Sequence, residues 1–313
     1  MAFVQIPGNP APEGAEEIRF KARDGVELRA MIAPARGPAR GTVVICQGWK
    51  EFIEKYFEVA RELQARGFAV FAMDWRGQGL SGREARPATK SYFRTLDDPA
   101  KDLGFALQEF GGRLPRPHIL LAHSMGGGIS LRALQKKYVS FDGALFNAPM
   151  WGIRSMNATS AFLVGLLRGL GAGKAYAPGA MKTWTREDFA SNNVTRDEAR
   201  QKRTQDLIEA NQGLAMAGAS IGWAASAADA IKGFQPKNAF RHLTFPIVVL
   251  TAADERLVRN ESHAEIAAKL PDAQHFTIAN AMHEIMMERD EIRAQFWSAF
   301  DALADRVAPR KAA

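Results

Sequence analysis

Apolar residues along this chain recur with two periods. Thr42-Val43-Val44-Ile45-Cys46 and Phe68-Ala69-Val70-Phe71-Ala72-Met73 are near-continuous apolar runs, and shorter ones lie at 119–121, 143–146 and 247–250. Such runs mark strands covered on both faces. Between them apolar residues return at helical spacing, as in Phe57, Ala60 and Leu63, which predicts a helix over 53–65. The same spacing predicts helices over 101–110, 129–138, 262–270 and 289–301, with a further strand at 275–278. Strand, helix and strand at this pitch predict parallel βαβ units. Ahead of them, Ile18-Arg19-Phe20 and Val26 to Met31 flank Asp24-Gly25, the pattern of a hairpin.

The pattern breaks between Pro149 and Gly233. No strand-like run occurs there; helix-like stretches cover 160–170, 186–189, 196–211 and 224–231. A connection of this length is not a simple loop, so a helical insertion between two sheet strands is expected. It is rich in Phe162, Leu163, Leu166 and Leu167, with Trp151, Met156 and Trp223 besides. A small insertion has little core of its own in which to hide that surface, so these side chains are expected to roof an apolar pocket. The resulting division is a flexible arm at 1–17, a core at 18–148, a helical cap at 149–233, the rest of the core at 234–303 and a basic tail at 304–313.

A chain of 313 residues, 47% hydrophobic, suffices for one large core with an insertion. Its one cysteine, Cys46, excludes an intramolecular disulfide framework and suggests the cytoplasm. The Pro-, Gly- and Ala-rich start does not read as a signal peptide, and no apolar run has bilayer-spanning length. Lys and Arg outnumber Asp and Glu by 41 to 34, a net +7. The excess is scattered and not interleaved with aromatics, so nucleic-acid binding is not expected. Transient contact of the cap with a membrane or micelle is compatible with it. Oligomeric state is left open.

The chemistry gathers around Leu120-Leu121-Ala122-His123-Ser124-Met125-Gly126-Gly127-Gly128. A short strand runs into a serine among very small residues, and a helix follows. A tight strand-to-helix turn would lift Ser124 Oγ above the sheet edge as a nucleophile. Its base should sit in a loop at the carboxyl end of a late strand, where His283 lies; His123 is adjacent, but neighbours leaving a sharp turn point apart. The orienting acid should follow the strand at 247–250, where Asp254 is expected and Glu255 is the alternative. The order Ser124, Asp254, His283 suits a doubly wound hydrolase sheet. Backbone N–H groups of Met125 and of Trp49 would form an oxyanion hole. The pocket wall is expected from the indole of Trp49 with Phe162, Leu163, Leu166 and Trp223. No histidine–carboxylate cluster has zinc-ligand spacing and no phosphate loop follows Gly128, so neither metal nor cofactor is expected.

These segments, with Tyr56-Phe57, Ala60-Arg61-Glu62-Leu63, Gly67-Phe68-Ala69-Val70, Asp74-Trp75-Arg76-Gly77-Gln78-Gly79-Leu80-Ser81-Gly82, Asn193-Val194-Thr195-Arg196-Asp197 and His283-Glu284-Ile285, resemble the α/β-hydrolase fold over about 18–300. Within it they are similar to the monoacylglycerol lipase and bacterial lysophospholipase group. The resemblance implies a serine hydrolase with a helical cap, cleaving esters of single-acyl lipids. A broad short-chain carboxylesterase is the alternative, and a non-catalytic scaffold on a retired hydrolase fold the third reading. Three positions depart from the group's pattern. Gln47-Gly48 stands where it has His-Gly, Gly77-Gln78-Gly79 where it has Gly-His-Gly, and Ala122 where it has a glycine.

Overall fold

The computed structural model describes residues 3–310. In chain order the elements are β1 (Glu16–Lys21), β2 (Glu27–Ala33), β3 (Gly41–Cys46), α1 (Phe57–Ala65), β4 (Phe68–Asp74), α2 (Asp97–Phe110), β5 (His118–His123), α3 (Ser124–Gln135) and β6 (Gly143–Asn147). There follow α4 (Ala158–Gly169), α5 (Glu198–Ala210), α6 (Ile221–Gly233), β7 (Ile247–Ala252), α7 (Asn260–Ala267), β8 (Ala273–Ile278) and α8 (Asp290–Val307). The strands form one sheet in the order β1-β2-β4-β3-β5-β6-β7-β8. Pairing is antiparallel from β1 to β2 and from β2 to β4, and parallel from there on.

Alternate residues of each central strand enter opposite cores. Val44, Phe71, Leu120 and Phe146 pack with α2, α3 and α6 on one face. Val43, Ile45, Val70, Leu121 and Leu145 pack with α1 and α8 on the other, through Phe57, Leu63, Phe296 and Phe300. Both faces being covered, the strands read as unbroken apolar runs. β3 lies between β4 and β5, so the chain reverses its direction of travel across the sheet there. The crevice above such a reversal, at the carboxyl ends of the strands, is where doubly wound sheets place their ligands.

Two expected termini are different in the structure. From Phe3 onward the segment ahead of β1 is not loose, residues 1 and 2 lying outside the described residues: Phe3 is buried edge-on against Phe57 at 5.2 Å, and Asn9 Nδ2 donates to Glu54 O at 2.9 Å. The Pro/Gly composition that suggested an arm serves a segment that lies over α1 without regular structure. The basic tail begins later than 304, because α8 continues to Val307 with Leu303 and Ala304 buried in the core.

The insertion between β6 and β7 carries α4, α5 and α6. Each starts at a capping side chain: Asn157 accepts from Ser160 N, Asp197 from Arg200 N and Ser220 from Trp223 N, satisfying otherwise orphaned first-turn donors. Over 186–189 no helix forms; a short 3₁₀ turn occupies Phe189–Ser191 instead. Among the described residues no helix is long and apolar enough to cross a membrane.

Candidate active site

Ser124 follows directly on β5 and has φ of +49°, a left-handed conformation that a non-glycine residue adopts at a cost. The turn closes because Gly126 carries no side chain. A Cβ there would run into the carbonyl oxygens of Cys46 and Gln47. The first turn of α3 thereby abuts the backbone of Cys46 and Gln47, where the loop after β3 begins. Gly126→Ala is expected to cost about 1–3 kcal/mol or more through overpacking against rigid backbone, and to lower turnover as the loop is pushed away. Urea unfolding and steady-state rates on one preparation would check both.

His283 lies in the loop after β8. Its Nε2 is 2.8 Å from Ser124 Oγ and its Nδ1 is 2.7 Å from Glu255 Oε2. Leu257 N and Val258 N donate to the other oxygen of Glu255 at 2.8 and 3.2 Å. Burial opposes the charge on Glu255, but the His283 hydrogen bond and charge and these two N–H groups outweigh it and hold its pKa at about 2. A carboxylate only accepts, so His283 Nδ1 carries the proton and Nε2 is left to accept from the Ser124 hydroxyl.

Asp254 therefore does not occupy the expected position. Its side chain is 47% exposed and pairs with Arg196, whereas that of Glu255 is fully buried against His283. Beyond β7, Ala253 N and Asp254 N still donate to Ile278 O and Ala281 O. This prolonged pairing carries the chain one residue further before it turns inward. The sequence offered two adjacent acids and no local signal to choose between them.

The His283 loop is clamped by the cap. Glu284 N donates to Val194 O at 2.8 Å and Thr195 Oγ1 to Met287 O at 2.6 Å. The buried Glu288 carboxylate accepts from both Met282 N and Arg196 N, each at 2.7 Å. The segment Asn193 to Asp197 is thus part of the support for the histidine.

His123 sits with its ring centroid 4.8 Å from that of His283, and its Nδ1 is bonded to Asn147 O at 3.0 Å. Burial pushes its pKa down to about 4 despite the charge of Glu51, so it stays neutral, and its ring nitrogen is already engaged with Asn147. Beneath the loop after β3 lies a buried group that the sequence did not disclose. Glu51 accepts from Gly48 N, Tyr56 Oη and Lys55 Nζ, and Lys55 also reaches Glu284 at 2.7 Å.

The five side chains expected to line the pocket do not gather in one place. The Trp49 and Trp223 rings lie 4.9 Å apart, and Trp49 Nε1 donates to Ser91 Oγ at 2.7 Å. Phe162, Leu163 and Leu166 face outward instead, at 73, 45 and 48% exposure. α4 is apolar around more than one stripe. Val164 and Leu167 turn to the core, and the remaining face is left to solvent.

The chemistry available is that of an activated serine, its base and an orienting carboxylate in one hydrogen-bonded line. Comparison with known proteins accords with this. The Hydrolase_4 family (serine aminopeptidase, S33) matches residues 37–290. The chain belongs to this family. It is an α/β-hydrolase and a serine hydrolase. It is 30% identical to lysophospholipase L2 of Escherichia coli K12 over 304 residues, 94% of this chain and 88% of the relative. It is 28% identical to the monoacylglycerol lipase of Mycolicibacterium smegmatis over 58% of this chain and 60% of that one. A soluble variant of the monoglyceride lipase from Saccharomyces cerevisiae, solved with a substrate analog, shares the fold with a TM-score of 0.72 at 16% identity, covering 93% of this chain and 96% of that one.

Proposed function

We propose that this hydrolase cleaves the carboxylic ester of a single-acyl lipid, a lysophospholipid or a monoacylglycerol, through an acyl-enzyme on Ser124. The observation that carries the reading is the continuous line Ser124 Oγ, His283 and Glu255, with its 2.8 and 2.7 Å contacts. Ser124 attacks the carbonyl while His283 takes its proton, and the N–H groups of Trp49 and Met125 receive the developing oxyanion at the positive end of α3. His283 returns the proton to the leaving alcohol. Water then attacks the acyl-enzyme with His283 again as base, and the fatty acid departs. Glu255 fixes the tautomer and stabilises the imidazolium. The lipid substrate class is carried over from the lysophospholipase and monoacylglycerol lipase relatives. A cytoplasmic location accords with the single, buried Cys46.

The outward face of α4 belongs to the same reading. Phe162, Leu163, Leu166 and Leu170 form one exposed apolar stripe with the exposed Lys174 just beyond it. Contiguous apolar surface of this kind marks an interaction site, here for the surface of a lipid aggregate. Each such side chain entering lipid gains about 1.5–3 kcal/mol, so Phe162→Asp with Leu166→Asp should lower turnover of vesicle-borne substrate at least about tenfold. Turnover of a dissolved short ester should be unaffected. Equal loss on both substrates would remove the lipid surface from the proposal.

A specific observation favours the second reading, a short-chain carboxylesterase. Three of the five side chains expected to line the acyl pocket face solvent. Catalytic efficiency against acyl length, measured below the critical micelle concentration, separates the two. A lipid enzyme gains up to a few-fold with each methylene that is buried, at about 0.8 kcal/mol when burial is complete. A flat profile from acetyl to dodecanoyl would select the carboxylesterase.

A further inference from the structure

We propose that Gln78 is the positioning residue of the oxyanion hole, acting through the peptide plane that carries Trp49 N–H. The inference rests on the assignment of that N–H as an oxyanion donor. A trans peptide is planar with its C=O and N–H antiparallel. Whatever holds Gly48 O therefore sets the direction of Trp49 N–H. Gln78 Nε2 donates to Gly48 O at 2.8 Å. The same nitrogen donates to Glu51 O at 3.0 Å, and Oε1 accepts from Lys50 N at 3.3 Å. One side chain thus grips the loop before and after Trp49. Gln78 is itself almost wholly buried, and Gly79 beside it approaches Asp74 so closely that a Cβ would overlap the carboxylate.

The preceding peptide is fixed in the same way. Trp75 Nε1 donates to Gln47 O at 2.8 Å, Gly48 N donates to Glu51 and Gln47 Nε2 donates to Asp74 Oδ1 at 3.1 Å. Lys50, with φ of +64°, turns the loop back immediately after Trp49. Two donors and an acceptor are what a carboxamide supplies. A neutral imidazole, with one N–H and one acceptor nitrogen, satisfies at most one of the two carbonyls. A carboxamide also has no proton to gain or lose near neutral pH, so the grip on Gly48 O is pH-independent in this chain.

The test compares Gln78→Met, Gln78→Glu and Gln78→His with the wild type on one dissolved ester. Deleting an oxyanion donor outright costs about 10²–10³ in kcat, so misdirecting one should cost about 10–100-fold in Gln78→Met with KM within about twofold. The affinity for a boronic acid that mimics the tetrahedral adduct should fall in the same ratio as kcat/KM. Binding of the matching fatty alcohol, which carries no oxyanion, measured in a Ser124→Ala background, should stay the same. Gln78→Glu keeps the shape and the acceptor but loses both donors, so it should resemble Gln78→Met; it stands in should the methionine variant fail to fold. Gln78→His should recover part of the loss and acquire a pH dependence that the wild type lacks. A folded variant with kcat within twofold of wild type, or with losses in fatty-alcohol binding equal to those for the boronic acid, would overturn the positioning role alone. A wild type that neither turns over ester nor labels at Ser124 with a fluorophosphonate would overturn the underlying reading as well.

Discussion

Ser124→Ala is expected to abolish ester turnover, by about 10⁶-fold, with the fold intact. The magnitude follows from the way a serine triad acts as a unit: without the nucleophile, the base and acid have nothing to activate, and only transition-state binding remains. The fold should survive because one oxygen is removed from a residue whose backbone keeps its conformation. Alanine at φ near +49° bears the same Cβ as serine, so no new backbone strain is introduced. Nothing else is left unpaired except His283 Nε2, which can turn to water. Fluorophosphonate labelling should disappear together with turnover, while the midpoint of thermal unfolding shifts by no more than a few degrees. Turnover within tenfold of wild type in the purified variant would show that another group is the nucleophile.

The sheet was legible in the sequence because its physics is local and redundant. β3, β4, β5, β6 and β7 are buried on both faces, and continuous burial writes an apolar run that polar positions do not interrupt. The strand-to-helix turn at Ser124 was legible for a different reason, since only a very small residue fits where Gly126 meets Cys46 O. His283 could be chosen because the competing histidines sit in places unsuited to the task. His118 begins β5 at the far end of the sheet, and His263 is buried on α7 between Thr251 and Pro149 O.

What the sequence hid depends on angular detail. Whether the turn after β7 points residue 254 or 255 inward is decided by how far strand-like pairing continues, and Ala253 and Asp254 carry no pattern that says so. The outer face of α4 was misjudged on similar grounds. Apolar content in the cap shows that surface has to be covered or used, but not on which side of the helix it lies. Val164 and Leu167 take the inner side, leaving Phe162 and Leu166 a turn apart on the outer one. Glu51, Lys55 and Glu284 come together only when the loops after β3 and β8 meet.

The second large effect distinguishes two neighbouring carboxyl groups. Glu255→Gln is expected to lower kcat by about 10⁴-fold, the scale set when the orienting acid of a serine triad is made neutral, whereas Asp254→Asn should change it less than about tenfold. A carboxamide at 255 can offer its N–H₂ to His283 Nδ1 and so favour the tautomer with the proton on Nε2, which cannot accept from Ser124. It also cannot stabilise the imidazolium that forms as the serine is deprotonated. Among the described residues the Asp254 side chain pairs only with Arg196, at the surface, and an exposed pair of this kind contributes at most about 1 kcal/mol. Stability should separate the two acids too. The folded pKa of Glu255, about 2, lies below its ordinary 4.5, so its contribution is present above pH 4.5 and is lost as the pH falls toward 2. The wild type should therefore lose stability relative to Glu255→Gln across that window. A greater loss of kcat in Asp254→Asn than in Glu255→Gln would return the acid to residue 254 and mean that the loop after β7 turns one residue earlier during catalysis.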